Sequence, residues 1–321
     1  MMLTILMPVF NAELHVKEAI DSILGQTYSM FEFLIINDGS TDNSENIIKS
    51  YSDPRIKYVE NVENIGLIAT LNKGLELAKG KYIARMDADD ISFPYRIEKQ
   101  IDYLEKHADV GLLGTGYTIF GDRNQYIQYP SDHEDIKLAC LTYNPFCHPS
   151  VMIRKEIIDK HQLGFKNEYL HAEEYKLWTE FVVLTKCCNL NENLLMYRSH
   201  PQQISQIHID MQIENSKVIQ NEYLESAGFE KITTFSFKGD EPVFQLKNLA
   251  KFLDHNKKRK FFHEERLEKM VLSRFKNLIL ESKKIDKDLY QFYRSNTFSQ
   301  QINWTAKQKL SVFLKYLVNR K

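Results

Sequence analysis

The chain has little cysteine: four in 321 residues, at positions 140, 147, 187 and 188. No two stand in a CxxC spacing, and an adjacent pair is a poor disulfide framework. The sequence therefore predicts reduced thiols in a cytosolic setting, with neither a cysteine metal site nor a secreted scaffold. Long hydrophobic runs are also missing. No stretch approaches the roughly 18 apolar residues that span a bilayer, so any membrane contact is peripheral. The apolar run Leu3–Phe10 lacks a basic flank and is interrupted by Pro8, which fits a first strand and not a signal peptide. Two phosphate-binding signatures are absent as well. Neither GxGxxG nor GxxxxGK[ST] occurs, so a nucleotide would be held by other means. No RNP, zinc-finger or homeodomain pattern appears, and nucleic acid is not an expected partner.

What is present suits a folded globular protein. Hydrophobic residues make up 43% and charged residues 26% of the chain, enough for a sizeable core. Net charge is only −1, but it is unevenly spread: residues 241–321 carry 19 Lys and Arg against 8 Asp and Glu, leaving 23 against 35 in the remainder. A basic tail of this kind meets an anionic partner or is simply a solvated helical surface.

Strand and helix signals alternate four times in the first 90 residues. Leu3–Val9, Phe31–Asn37, Ile56–Val59 and Tyr82–Met86 read as strands. The intervening helices start near Val16, after Ser40-Thr41-Asp42 as candidate caps, and at Ile68. This order predicts a parallel sheet with right-handed crossovers. Ser92-Phe93-Pro94 is expected to start a helix running to Lys106, followed by a strand over Val110–Phe120. Residues 121–150 read as irregular or mixed, Val151–Ile153 as a strand, 155–162 and 173–185 as helices, and Leu194–Arg198 as a strand. Beyond Met211 the pattern is mostly helical, with Gly228 as a C-cap and a soft boundary at 205–235. The expected organisation is a catalytic domain over 1–205, divided into a nucleotide-binding half (1–110) and an acceptor-binding half (111–205), then a basic helical region over 206–321.

The stretch YIARMDADD, residues 82–90, carries the chemistry. Three carboxylates, Asp87, Asp89 and Asp90, follow an apolar strand where the chain turns off the sheet. Open α/β sheets bind ligands at the carboxyl ends of their strands, and crowded carboxylates suit a hard divalent cation shared with substrate phosphates. The competing reading is a helix N-cap with acids favoured by the dipole, and Asp90 in particular is expected to be a cap. Asp38, in an Asp-Gly-Ser turn, and Glu173-Glu174, at a helix start, have equally plain structural readings taken alone.

Together the motifs are specific. MPVFNAE (7–13), INDGSTDNS (36–44), NIGLIATLNKGLELAKGKYIARMDADD (64–90), HPSVMIR (148–154) and HAEEYKLW (171–178) occur in an order that resembles the family 2 glycosyltransferases of GT-A fold. YRSHPQQIS (197–205) resembles the segment that often closes their active site. The likeness covers about residues 1–205, and its third stretch is similar to bacterial transferases that extend lipooligosaccharide or capsular glycans. The resemblance implies an α/β nucleotide-sugar fold, mostly parallel, with a helical extension. It implies a UDP-sugar donor, Mn²⁺ or Mg²⁺ as cofactor, and a glycan or lipid-linked oligosaccharide acceptor.

Residue by residue, Pro8, Val9, Phe10 and Asn11 would line the nucleotide pocket and Asp38 would take the uracil imide. Asn64, Gly66, Arg85 and Ala88 would complete the nucleotide-sugar surface, with Asn72 on that surface or fixing the loop beneath the nucleotide. Asp87 and Asp89 match the DxD acids, on the ribose and metal sides, and His200 matches a position near the metal. Glu174 falls where the family has an aspartate general base, with Glu173 beside it. Its extra methylene moves the carboxylate, and the paired acids oppose each other's ionisation, which favours base action near neutral pH. Arg96 and Gln100 read as support for the site, His148 as either structural or active-site, and Trp178 as core. The basic helix with Lys309, Leu310, Phe313, Leu314, Lys315, Leu317, Arg320 and Lys321 would lie on an anionic membrane, pack on the protein or join a second copy. Rival readings are a nucleotidyltransferase, which would not need Glu174, and a non-catalytic partner subunit.

Overall fold

The computed structural model describes residues 2–200, 208–229, 242–282 and 284–318. The chain divides into two compact units, Met1–Ile219 and Gln220–Lys321.

The first unit is built on a nine-stranded sheet. β1 (Leu3–Val9) pairs in parallel with β2 (Phe31–Asn37), and every residue of both strands is buried. Such continuous apolar strands need cover on both faces. β3 (Ile56–Glu60) adds in parallel beyond β2, and β4 (Tyr82–Arg85) pairs in parallel with β1 on its other side. Between them run α1 (Val16–Leu24), α2 (Ser44–Lys49) and α3 (Leu67–Leu77). α1 buries Val16, Ala19, Ile20 and Ile23, as its spacing predicts. α3 approaches the sheet so closely that a Cβ on Gly74 would stand 2.4 Å from a Leu6 methyl.

β5 (Ile91–Ser92), α4 (Arg96–Lys106), β6 (Val110–Gly121), β7 (Gln125–Ile127), α5 (His133–Ala139), β8 (Met152–Arg154), α6 (Lys155–His161), α7 (Glu173–Leu184) and β9 (Lys186–Ser199) complete the unit. The order across the sheet is β3-β2-β1-β4-β8-β6-β9-β5, with β7 on β6. β8 runs antiparallel to β4 and β6, β5 antiparallel to β9, and β6 parallel to β9, so six of the nine strands point one way.

Several expectations are corrected. Residues 91–92 are not a helix start: they pair with Leu195 and Met196 of β9, which delays α4 to Arg96. Asp90 is therefore no helix cap. β9 is 14 residues long, not five, because β6 offers it a partner throughout. The segment 121–150 holds β7 and α5, the latter capped by Asp132, whose side chain accepts the Glu134 and Asp135 amides. None of Ser40, Thr41 and Asp42 caps α2; it starts at Ser44, after Asn43. Trp178 is fully buried.

α8 (Ile209–Ser226) crosses the division between the units. It ends at Gly228, with φ +80°, where Phe229 N–H bonds the Leu224 carbonyl and Gly228 N–H that of Glu225, the Schellman pattern. The second unit continues with α9 (Pro242–Arg259), α10 (Glu264–Glu281), α11 (Lys287–Ser295), α12 (Thr297–Gln301) and α13 (Ala306–Val318). Phe229, Phe252 and Phe262 pack together in its core. Phe275 and Phe292 stack, so the aromatics of this region belong to its packing. The stripe of α13 is different: Leu310, Phe313, Leu314 and Leu317 are 40–56% exposed. Arg320 and Lys321, and Pro201 to Ser205 of the closing motif, lie outside the described residues. No helix among the described residues is long and apolar enough to cross a membrane.

Candidate active site

The site forms where β1, β2 and β4 end. Pro8 and Val9 finish β1, register with Ile36 and Asn37, and leave Phe10 half exposed beyond them. The next loop is laced to the one after β2. Asn11, at φ +48°, receives Thr41 N–H on its side-chain carbonyl (2.8 Å) and donates its own N–H to Ser40 Oγ (3.0 Å). Ala12 N–H reaches Ser44 Oγ, Glu13 N–H reaches Asp42, and Asn43 N–H returns to the Glu13 carboxylate. These loops thus arrive pre-shaped.

Asp38 follows directly and is 3% exposed. Its Oδ1 accepts from Asn61 Nδ2 (2.8 Å) and Ile65 N–H (3.0 Å), and its Oδ2 from Gly66 N–H (3.0 Å). Asp38 thereby fixes the 61–66 turn. Gly66 sits at φ +90°, a conformation that glycine adopts readily. Asn64 is exposed, and its backbone N lies where a Cβ on Gly39 would come to 2.6 Å.

β4 delivers the acids. Asp87, Asp89 and Asp90 each place one carboxylate oxygen within 4.8 Å of the others. These hard oxygen donors suit Mn²⁺ or Mg²⁺. Below them Arg85 is buried and ion-paired to Asp87. It acts on the acids from inside and is not an open phosphate contact. Desolvation raises the Asp87 pKa despite that pairing, with Asp89 adding to the rise. Asp90 is 1% exposed; burial and the charges of Asp89 and Asp87 push its carboxyl well above the usual range. Ala88 is buried between them.

β9 closes this corner. Arg198 N–H donates to Asp90 Oδ1 (2.8 Å), and the Arg198 guanidinium donates to the Asp89 carbonyl (2.7 Å). His200 Nε2 lies 3.1 Å from Asp89 Oδ2. Arg96 is completely buried beneath the acids and donates to the Pro149 carbonyl, while Gln100 bonds the Leu113 and Ser150 carbonyls. Both hold the 148–150 turn, in the supporting role their spacing suggested.

α7 brings the second pair of acids. Glu173 is 5% exposed and its pKa is raised by burial, against the opposing pull of its own and the His171 backbone N–H groups. Glu174 is more open, accepts from Asn144 Nδ2 (3.3 Å), and has its pKa pushed to about 8 by burial and then by the Glu173 charge. The Arg85 charge acts on both glutamates as well as on Asp87. His148 packs against Phe165 and Trp178, with burial and Arg85 holding its pKa well below normal. Asn72 is committed elsewhere: it donates to the Phe165 carbonyl (2.8 Å) and accepts the Phe165 N–H (2.9 Å), so it secures the 163–166 loop.

Two site residues, Asn144 and His15, give no usable signal in the sequence, and Arg198 lies in the YRSHPQQIS stretch without a role of its own. Asn144 touches Glu174 from an irregular segment. Arg198 reaches the 87–90 turn across more than 100 residues. His15, just before α1, has its ring 5.7 Å from that of His200 and a pKa lowered by burial and by Arg198.

The sequence profile described as Glycosyl transferase family 2 matches residues 4–162. An uncharacterized glycosyltransferase of Haemophilus influenzae is 37% identical over 71% of this chain and 76% of its own length. The O-antigen biosynthesis glycosyltransferase WbnJ of Escherichia coli is 36% identical over 62% of this chain and 80% of its own. Among solved structures, S. aureus TarS 1-349 in complex with UDP superposes with a TM-score of 0.57 at 18% identity, covering 95% of this chain and 93% of that one. The Pyrobaculum calidifontis mannosyltransferase PcManGT, in complex with GDP-Man and Mn²⁺, gives 0.51 at 15% identity over 99% and 88%. At these identities the structural likeness shows the GT-A fold.

Proposed function

The chain belongs to the family 2 glycosyltransferases, and on that premise we propose that it is an inverting, metal-dependent transferase. It moves a hexose or N-acetylhexosamine from a UDP-sugar to a hydroxyl of a glycan or lipid-linked acceptor, in the synthesis of cell-surface polysaccharide or lipooligosaccharide. The observation that carries this reading is the carboxylate cluster at the end of β4, where Asp87, Asp89 and Asp90 each place an oxygen within 4.8 Å of the others, in a chain that also presents Glu173 and Glu174 at the start of α7.

In this reading Asp89 and Asp87 hold Mn²⁺ or Mg²⁺ with His200 alongside, and the cation supplies charge neutralisation for the leaving diphosphate. Asp38 has three internal donors on a carboxylate with about four acceptor positions, which leaves room for a uracil imide. Complexes of TarS with UDP and with UDP-GlcNAc support a uridine donor. Glu174 takes the proton of the acceptor hydroxyl as it attacks the anomeric carbon, and a UDP-α-sugar gives a β-linkage. Release of UDP from UDP-glucose, UDP-galactose or UDP-GlcNAc with Mn²⁺, abolished by EDTA, is the expected result. A product of retained configuration by proton NMR would reject the mechanism, and absence of release with every donor would favour the partner-subunit reading.

Peripheral docking is part of the proposal. The exposed stripe of α13, with the exposed Lys309 on the same helix in the basic C-terminal region, suits an anionic bilayer, whereas Lys315 is engaged by the Leu280 and Ser282 carbonyls. The intact chain should co-sediment with phosphatidylglycerol vesicles, and Leu310→Ser with Leu314→Ser should reduce that binding; unchanged binding would count against docking.

A further inference from the structure

The loop that presents Glu173 and Glu174 is held by a helix outside every recognised motif. His171 has φ +68°, a region that non-glycine residues seldom occupy. Its carbonyl accepts from Gln212 Nε2 at 2.9 Å, and the Leu170 carbonyl accepts from Asn215 Nδ2 at 2.8 Å. Gln212 and Asn215 are three apart on α8, so both amides come from one face of that helix. The His171 ring stacks on His208 at 4.0 Å with 8° between the planes. Ala172 and Tyr175 form a buried cluster with Ile219, and Tyr169 packs against it. Side-chain donors, a ring stack and an apolar contact from residues 208–219 thus converge on the four residues before α7 and on its first turn.

We infer that Gln212 and Asn215, with His208, are positioning residues for Glu174, acting through the 170–172 loop. The consequence rests on the reading of Glu174 as the base. The start of α7 is fixed on one side by Asn144, which bonds Glu174 directly, and on the other by α8. Releasing the α8 side lets His171 leave its left-handed conformation. The first turn of α7 then tilts, the Glu174 carboxylate moves, and water reaches it. An ångström of misplacement can cost about 100-fold in rate.

The test uses the full chain and two independent readouts. The Gln212→Ala/Asn215→Ala variant should exchange its 172–175 amides about tenfold faster, with exchange in β1, β2 and β4 unchanged. UDP release, followed with whichever of UDP-glucose, UDP-galactose and UDP-GlcNAc turns over fastest with Mn²⁺, should lose ~10–100-fold in kcat. Donor KM should stay within about twofold. The ascending limb of its pH profile should move to lower pH, as a hydrated carboxyl requires. Gln212→Lys, which still donates, should restore part of the rate; Gln212→Met, of similar length without a donor, should not. Unchanged exchange at 172–175 overturns the clamp. Faster exchange with kcat and pH limb unmoved overturns its link to catalysis. Faster exchange in a chain whose parent releases no UDP from any donor supports the clamp and counts against the transferase reading. If the double variant fails to fold, Gln212→Met alone carries the same measurements.

Discussion

The Asp90 carboxylate accepts the backbone N–H of Arg198 at 2.8 Å, so the acidic turn after β4 is stitched to the end of β9. Asp90 itself is buried, its second oxygen has no hydrogen-bond partner, and the Arg198 side of the bond is half-buried. Removing the acceptor strands this half-buried N–H, at a cost of up to about 1–3 kcal/mol. Asp90→Ala should therefore lower the melting temperature by roughly 2–4 °C per kcal/mol. Asp90→Asn keeps an acceptor oxygen and should fall less. Equal melting curves for wild type and Asp90→Ala would show that this bond does not hold the turn.

Asp89 is placed differently. It is half-buried, 3.1 Å from His200, and free of a structural task comparable to that of Asp90. Asp89→Asn should fold normally and weaken Mn²⁺ affinity by at least about tenfold, a loss that even outer-shell ligand partners can produce. His200→Ala should weaken it less. Titration of Mn²⁺ followed by electron paramagnetic resonance reads both without turnover.

Glu174→Gln should lower kcat by 10²–10⁴, the usual range for removing a general base, with UDP affinity by calorimetry unchanged. Glu174→Asp restores the family's residue and should retain part of the rate. Glu173→Gln should act mainly through Glu174, by removing the charge that opposes its ionisation.

That coupling fixes the pH behaviour. Burial and then Glu173 raise the Glu174 pKa to about 8. A base works when deprotonated, so the rate should climb through about pH 8 and level off above it. In Glu173→Gln the climb should move to lower pH. Stability runs the opposite way. The folded protein holds the Glu174 proton up to about pH 8, whereas the unfolded chain releases it near 4.5. Between these values folding binds more protons, and this group's contribution to stability falls as pH rises. Denaturant midpoints for wild type and Glu174→Gln, compared at pH 5 and pH 8.5, check the sign: the variant should lose less on going to the higher pH.

Much of this was legible in the residues because the information was local. β1 and β2 are continuous apolar runs bounded by loops, and α1 shows its buried face at helical spacing. The acids of 87–90 read as a ligand site because water normally takes so many carboxylates. What escaped was long-range pairing. Ser92 looks like a helix start unless β9 is known to lie beside it, and Asp90 looks like a cap until the Arg198 amide arrives. Asn144 reaches Glu174 from a segment without periodicity. A loop-fixing Asn72 is readable from the sequence, but not that the backbone it holds lies more than 90 positions later, at Phe165. None of these partners is encoded in a window of neighbouring residues.

Asn72 supplies the last test, because its place in the fold separates two roles. Its side chain makes two hydrogen bonds to the Phe165 backbone, one in each direction, and so acts as a short strand would. Phe165 in turn packs against His148 and Trp178 at the heart of the first unit. Each bond is worth about 0.5–1.5 kcal/mol net. Asn72→Ala should thus cost about 1–3 kcal/mol, visible as a fall in denaturant midpoint at constant slope. Substitution by Asp keeps the acceptor for Phe165 N–H but turns a carboxylate oxygen toward the Phe165 carbonyl, so it should be at least as damaging. If Asn72 instead served the nucleotide, Asn72→Ala would leave stability unchanged and raise the donor KM. The loop role predicts the reverse: lowered stability with UDP affinity intact. Chemical denaturation and calorimetric UDP titration on the same variant decide between them.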